Sequence, residues 1–299
     1  MKITETCILE DRGIVYIQGS DAKEFLQNIV TNNLEMISDN HSIYSSLLTP
    51  QGKYLYDFIL VKFKKGYLID CEKKELENLI DTLNIYKLRS KVEILNLSEE
   101  FVVASLSYDK YLSLEKNQTP GFTTKYREDI ILLDPRNIKL GARLISSLEK
   151  LHLSLKKLNL KIINKSEYYK ESFNLGIAQI NSSKLKEKLF GIECNFEELN
   201  AIDFKKGCFV GQENTSRIRL RNKLRRRLLP LKVKEGKISE GDLIKFNDIE
   251  VGRILIDNPF PFALVKVTDP NINKFLKKDL VCGSAKVEIS KPDWLNIVN

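Results

Sequence analysis

The segment Lys205-Lys206-Gly207-Cys208-Phe209-Val210-Gly211-Gln212-Glu213 sets one thiol between two glycines, after two lysines and before an amide and a carboxylate. Glycine on both sides lets the backbone approach a ligand or take positive φ, and nearby ammonium groups favour thiolate over thiol. The loop therefore reads as reactive or ligating. Directly behind it, the run from Arg217 to Arg227 carries seven basic residues and no acidic one. Within that run Arg217, Arg219 and Arg221 alternate with Ile218 and Leu220, which predicts a strand with the three arginines on one face and Arg217 turned towards the thiol loop.

Working outward, the whole chain of 299 residues is long enough for two domains or one elaborated domain. Its formal net charge of +8 falls to +1 when the run from Arg217 to Arg227 is set aside, so the basicity is local and points to a specific anionic partner. No run of about 18 apolar residues suggests a membrane span. The first dozen residues include Glu5, Glu10 and Asp11 and lack a signal core or an Arg/Ser-rich presequence, so the expected compartment is the cytoplasm. Five widely spaced cysteines (Cys7, Cys71, Cys194, Cys208, Cys282) with no Cys-x-x-Cys resemble neither a disulfide framework nor a zinc site. His41 and His152 are the only histidines, so neither histidine catalysis nor a His-rich metal site is expected. Chemistry here must rest on carboxylates, one thiol or a bound cofactor.

Periodicity outlines the elements. A strand around Ile14–Ile17 ends at Gly19, and a helix capped by Ser20 or Asp21 (Asp21-x-x-Glu24 resembling a capping box) stops near Thr31. Two strand-like runs flank the turn Pro50-Gln51-Gly52 and form a hairpin, with Asp57 in the middle of the second, where a charge is costly unless paired or used. A helix over 72–84, strands at Val92–Ile94, Phe101–Leu106 and Ile130–Leu133, a loop over 108–120, a helix from about Leu144 to Leu160, and a helix from Ser166 to Gly176 follow. From Leu228 onward, short apolar runs punctuated by Gly and Pro suggest a small all-β unit.

The stretch Lys206 to Glu213, with Arg217 behind it, resembles the signature of the YgfZ family, folate-binding proteins of iron–sulfur cluster assembly that are related to the glycine-cleavage T protein, an aminomethyltransferase. Further resemblance lies in Gly19 to Thr31, Tyr86-Lys87-Leu88-Arg89-Ser90-Lys91-Val92, Asp134-Pro135-Arg136 with Leu140-Gly141-x-Arg143, Gly191 to Phe204, and Pro292-Asp293-Trp294-Leu295. Relatives carry arginine where Ser172 stands, proline where Gly191 stands, and a glycine turn where Asn222-Lys223 stands. The resemblance implies an α+β fold: a T-protein-like folate-binding domain of mixed sheets and helices over 1–224, in one or two lobes, followed by a small β-barrel-like domain over 225–299. It implies tetrahydrofolate or a derivative as cofactor, with Asp57 facing the reacting nitrogen and Glu193 accepting the paired N–H donors of the pterin ring, a task suited to a carboxylate. It places Arg217 and its neighbours at the anionic folate tail and Cys208 in cluster handling or redox chemistry, within a motif of Lys206, Gly207, Phe209, Gly211, Gln212 and Glu213. Read without the resemblance, Asp57 is an outward-facing strand residue, Glu193 an exposed loop residue, and the arginines a solvated face.

Three functions compete. The first is a folate-binding accessory protein for assembly or repair of [4Fe–4S] proteins, with folate and iron–sulfur assembly proteins or apo-proteins as partners and no conventional turnover. One cysteine cannot supply the usual four-thiolate cluster site, so a stable cluster within one chain is not expected. The second is a tetrahydrofolate-dependent aminomethyltransferase, favoured by Asp57 and weakened by the Cys208 signature. The third is an RNA-binding or tRNA-modifying module resting on the arginine run; against it, Phe209 is the sole aromatic between Lys205 and Arg227, so no stacking platform interleaves the charges.

Overall fold

Strand β4 shows how the sequence builds the first sheet. In Tyr54–Phe63, buried Tyr54, Tyr56 and Phe58 alternate with half-buried Leu55 and Asp57, and the segment from Phe58 to Val61 is buried on both faces. A strand covered on both sides by protein reads as a continuous apolar run. The computed structural model describes residues 1–221 and 224–296. Its elements up to this hairpin are β1 (Glu5–Ile8), β2 (Arg12–Gln18), α1 (Ala22–Ile29) and β3 (Ile43–Leu48). They continue as β5 (Gly66–Glu72), α2 (Leu76–Lys87), β6 (Glu93–Asn96), β7 (Phe101–Leu106), α3 (Tyr108–Leu114), β8 (Thr123–Tyr126) and β9 (Asp129–Leu133). Then come β10 (Ala142–Ser147), α4 (Leu148–Lys157), β11 (Lys161–Ile162), α5 (Ser166–Asn174) and α6 (Gln212–Leu220).

Two sheets result, one ordered β3-β4-β5-β2-β6 and one ordered β11-β1-β7-β10-β9-β8. In the first, β2 and β5 are antiparallel with Val15 opposite Ile69; in the second, β7 and β10 are antiparallel with Leu106 opposite Ala142. Leu106, Leu133 and Leu144 from the second sheet pack with Leu151 and Leu155 of α4 and with Tyr111 of α3 in one buried cluster. The remaining strands, β12 (Arg226–Glu235), β13 (Leu243–Phe246), β14 (Ile249–Ile256), β15 (Phe262–Lys266), β16 (Leu280–Cys282) and β17 (Ala285–Ile289), close into a barrel in the order β12-β15-β14-β13-β16-β17. Its interior holds Leu229, Ile244, Val265, Val287 and Phe275, each fully buried. The α+β architecture with a small C-terminal barrel expected from the sequence is the one observed.

The chain divides into two compact units: one formed by Met1–Leu48, Tyr56–Tyr168 and Leu199–Val210, the other by Thr49–Leu55, Tyr169–Glu198 and Gly211–Asn299. Among the described residues no helix is long and apolar enough to cross a membrane.

Four local expectations are corrected. Residues 108–114, expected as loop, form α3, because the Ser107 side chain caps the helix by accepting the Lys110 N–H at 3.2 Å. The leucine-rich helix begins at Leu148 rather than Leu144, since Ala142–Ser147 are taken by the sheet. Asp21 does not close a capping box: its carboxylate accepts the Lys91 N–H at 2.7 Å instead. Most consequentially, the arginine-rich segment is the helix α6 and not a strand. Gly211, at φ +84°, starts it in the left-handed region open to glycine. Glu213 and Arg217 then pair at helical spacing, and arginines in the last turn face the negative end of the helix dipole. The Asn222-Lys223 turn lies outside the described residues.

Candidate functional site

In the first unit, the thiol loop is held by its own lysine. The Nζ of Lys206 donates to the carbonyl oxygens of Gln27 at 2.6 Å, Val30 at 2.7 Å and Asn32 at 2.8 Å. These are the last turn of α1 and the residues after it, where carbonyls lack intrahelical partners and the helix dipole favours a cation. Three donors on one ammonium meet three acceptors, and the charge also lies 5.4 Å from the centre of the buried Phe209 ring. Burial pulls the Lys206 ammonium down to about 8, against the nearby Asp203 carboxylate, which favours its charged form. Thr31 Oγ1 donates to Ala201 O at 2.7 Å, and Asn32 Nδ2 donates to Asn200 O at 2.7 Å, so the chain ahead of the loop is stitched to the same turn.

Cys208 stands beyond this clasp with its side chain exposed, whereas Cys7, Cys71, Cys194 and Cys282 are all buried. A side chain added at Gly207 would meet nothing within 4 Å, so that glycine answers no packing demand of the chain itself. The sequence suggested that lysines activate the thiol; in the structure the Lys206 ammonium is committed to backbone carbonyls instead.

Asp57, also in the first unit, ends a chain of buried charge. Its Oδ2 accepts the Tyr44 hydroxyl at 2.8 Å, and the Tyr44 ring lies 5.4 Å from the Arg136 guanidinium. Arg136 forks onto Asp134 through Nε at 2.9 Å and Nη2 at 2.6 Å. Arg143 bonds Asp70 Oδ2 and brings Nε within 3.8 Å of Asp134, while Arg12 Nε reaches Asp70 Oδ1 at 2.6 Å. All five of these side chains are buried. Burial would push both carboxyls up, but Arg12 and Arg143 hold Asp70, and Arg136 and Arg143 hold Asp134, below the usual carboxylate range. Glu72, also buried, stands opposite Arg12 in the β2–β5 pair, and Asp57 is the carboxylate at the end of the chain nearest solvent. Arg136 and Arg143, matched to family motifs in the sequence, are thus the supports of Asp57 through Tyr44. Tyr44 itself was not singled out, and a lone tyrosine in a strand carries no signal that would have found it.

In the second unit, Glu193 sits in a short 3-10 turn, Gly191–Cys194, and is buried, not the exposed loop residue that a reading without the resemblance allows. Its Oε2 accepts the Phe190 N–H at 2.8 Å, and Arg226 Nε reaches Oε1 at 2.8 Å. The turn is fixed by Asn195, whose Nδ2 donates to Leu228 O at 2.8 Å, and by Gly191 N donating to Gly52 O at 3.1 Å. Gly52 is needed as glycine twice over: φ is +82°, and an added Cβ would stand 3.1 Å from Gly211 O and from Thr215 Oγ1. The N-terminus of α6 is thereby seated on the Pro50–Gly52 turn, where Asn214 Nδ2 donates to Gln51 O at 3.0 Å.

The arginine run is largely neutralised within this unit. Arg217 pairs with Glu213 at 2.5 Å, Arg219 with Glu197 at 2.6 Å and Arg227 with Glu198 at 2.5 Å, besides Arg226 with Glu193. On a helix Arg217 and Arg219 are about 200° apart, so they do not share a face. A cavity of about 800 Å³ opens here, lined by Phe190, Glu193, Ile218, Arg225, Arg226 and Lys266. Arg217 is not among its walls; Arg225 and Arg226 from the same run, with Lys266, are the cations that line it. Half-buried Gln212 and exposed Glu213 occupy the first turn of α6.

The cavity beside Glu193, within the second unit, fits one end of a reduced folate, a flat ring with N–H donors at one end and carboxylates at the other: it combines a buried carboxylate acceptor, aromatic and aliphatic walls and cations at a volume typical of small-ligand sites. Arg226 occupies part of the Glu193 carboxylate, so a ring bound there shares that acceptor or displaces the half-exposed guanidinium.

The chain is similar to factors of iron–sulfur assembly. It is 31% identical over 227 residues to the mitochondrial iron–sulfur cluster assembly factor IBA57 homolog of Pyricularia oryzae, covering 74% of this chain and 56% of that one. The IBA57 homolog of Dictyostelium discoideum is 29% identical over 251 residues, covering 75% and 61%, and that of Neurospora crassa 27% identical over 295 residues, covering 94% and 63%. The chain therefore spans less than two thirds of the length of each of these relatives. No protein-family model matches. Among solved structures, glycine cleavage system aminomethyltransferase T from Bartonella henselae superposes with a TM-score of 0.74 over 97% of this chain and 86% of that one, at 13% identity. The fold is thus that of the glycine-cleavage T protein. The YgfZ label suggested by the motifs is close, though these relatives carry the IBA57 name. The cytoplasmic location expected from the sequence is overturned: each of these relatives is a mitochondrial protein.

Proposed function

We propose that this chain is an iron–sulfur cluster assembly factor of the IBA57 type that binds a reduced folate and acts through Cys208. The observation that carries the reading is the setting of that thiol. Among five cysteines it alone is exposed, and it stands on a loop clasped to the end of α1 and the residues after it by three hydrogen bonds from Lys206, within a T-protein fold. A thiol presented on a rigid mount and open to solvent suits chemistry on a partner protein, because the partner's groups reach it without unfolding either chain.

Asp57 and Glu193 serve as the folate's hydrogen-bond acceptors, and the cations at the cavity beside Glu193 meet its carboxylates. When bound, the folate supplies a one-carbon carrier or a redox-active ring; the chain's residues orient it and keep Asp57 in place through Tyr44.

The test is the activity of a [4Fe–4S] enzyme in cells depleted of this protein and rescued with wild type or with Cys208→Ala. Rescue by wild type alone supports the assembly role and the thiol's part in it. An enzyme unaffected by depletion overturns the assembly role, and formation of methylenetetrahydrofolate from an aminomethylated lipoyl carrier would make the chain a transferase instead.

A further inference from the structure

A second cavity, of about 560 Å³, lies in the first unit and shares no residue with the site above. Two hairpin turns border it. The β4–β5 turn brings Lys62, Phe63 and Lys64, and the β8–β9 hairpin brings Lys125, Arg127 and Glu128. Phe101 at the start of β7 and the junction from β10 into α4, with Ser147 and Lys150, complete the walls.

The charge is strongly one-sided. Five cations line the cavity against two carboxylates, Glu128 and Asp129, and both carboxylates are engaged. Glu128 pairs with Lys150, and Asp129 is buried and accepts the Ser154 hydroxyl. Among the described residues Lys62, Lys64, Lys125 and Arg127 have no carboxylate partner. Three of them rest over rings instead: Lys62 at 4.7 Å from the centre of Tyr67, Lys64 at 5.1 Å from Phe63, and Arg127 at 6.0 Å from Tyr126. Such contacts hold a cation without neutralising it.

Two further features point to a ligand. The Oγ of Ser147 is buried and has no hydrogen-bond partner, a state that costs free energy unless a ligand completes it. Ser147 is also the residue that precedes the ten-residue α4, where its side chain caps no backbone N–H and the Leu148 N–H donates instead to Glu100 O at 2.9 Å. Phe63 and Phe101 stand edge to face at 5.4 Å, both half-buried, and give the same cavity an aromatic wall.

Several unneutralised cations, an unpaired buried hydroxyl and an aromatic wall match a ligand with clustered anionic oxygens and a flat ring. We infer that this cavity binds a nucleoside polyphosphate, with its phosphates among Lys64, Lys125, Arg127 and Ser147 and its base against Phe63 and Phe101. The inference is independent of the folate reading.

It is tested on the full chain by calorimetric titration with ATP and, separately, with inorganic tripolyphosphate at about 0.15 M salt, where exposed charges are screened beyond about 8 Å. ATP should bind at least roughly tenfold more tightly than tripolyphosphate, Lys125→Glu with Arg127→Glu should weaken it by about tenfold or more, and Phe101→Leu should erode the preference for ATP. Lys125, an exposed residue of β8, and Arg127, on the turn after it, both face solvent, so the double variant keeps its fold, checked by circular dichroism. Equal affinity for the two ligands would mean that charge alone is read and would overturn the nucleotide assignment. Unchanged ATP binding in the double variant, or no ATP binding at all, would overturn the site.

Discussion

Replacing Lys206 by methionine keeps the apolar stem of the side chain and removes the three donors that clasp the Cys208 loop. Leaving three carbonyl acceptors without their donor costs about 2 kcal/mol each, or roughly 6 kcal/mol in all. Against this stands the relief of a partly desolvated ammonium: its depression to about 8 returns at most about 3 kcal/mol when the charge is removed. The net loss expected at pH 7 is therefore about 3 kcal/mol. The pH dependence has a definite sign. Because the folded-state value lies below the unfolded one, the unfolded chain binds more protons between about 8 and 10.5, and wild-type stability rises with pH across that window. By pH 9 wild type should gain about 1 kcal/mol over the variant, widening the gap to about 4 kcal/mol. Urea unfolding followed by circular dichroism at pH 7 and pH 9 measures both. A loss under about 1 kcal/mol at pH 7, or a gap that narrows at pH 9, would refute the clasp, and a clear drop in Cys208 alkylation rate in folded Lys206→Met would restore the activating role that the sequence suggested.

Other consequences can be checked directly. In the native protein a thiol reagent should modify one cysteine quickly and the remaining four only after denaturation, since burial pushes Cys71 up to about 12 and Cys282 up to about 11; rapid modification of a second thiol would contradict the burial pattern. Asp57→Asn should weaken tetrahydrofolate binding by roughly a hundredfold, and Tyr44→Phe, which keeps the ring beside Arg136, by about threefold to tenfold, in fluorescence titrations. Wild-type affinity in Tyr44→Phe would remove its positioning role. Asp70→Asn should destabilise the protein by about 3–5 kcal/mol at pH 7 by leaving buried Arg143 and Arg12 short of charge. Because Asp70 and Asp134 are held below the ordinary carboxylate range, their contribution is complete above about pH 4 and is lost as pH falls further, so acid unfolding should be blunter in that variant; an unchanged acid profile would show that these carboxylates do not govern it.

The sequence alone determined the α+β class, most strand positions and the C-terminal barrel, because each rests on local hydrophobic period and turn chemistry. The strand Phe101–Leu106 and the helix from Ser166 were legible to within a residue or two. It also singled out Cys208, since a thiol between two glycines after two lysines is a local pattern. What it misread were cases where local pattern and tertiary demand diverge. Arginine and isoleucine in alternation suit a strand, yet Gly211 in a left-handed turn and the Glu213–Arg217 pair commit the segment to a helix. Tertiary structure alone decided what each charged group touches. Lys206 is two positions from Cys208 in sequence, but its ammonium belongs to carbonyls some 175 residues earlier. Asp57 owes its place to Tyr44, Arg136 and Asp134, and Glu193 to Arg226, pairings set by which strands and turns become neighbours. The energy of a buried charge depends on partners within a few ångströms, and no spacing along the chain encodes that distance.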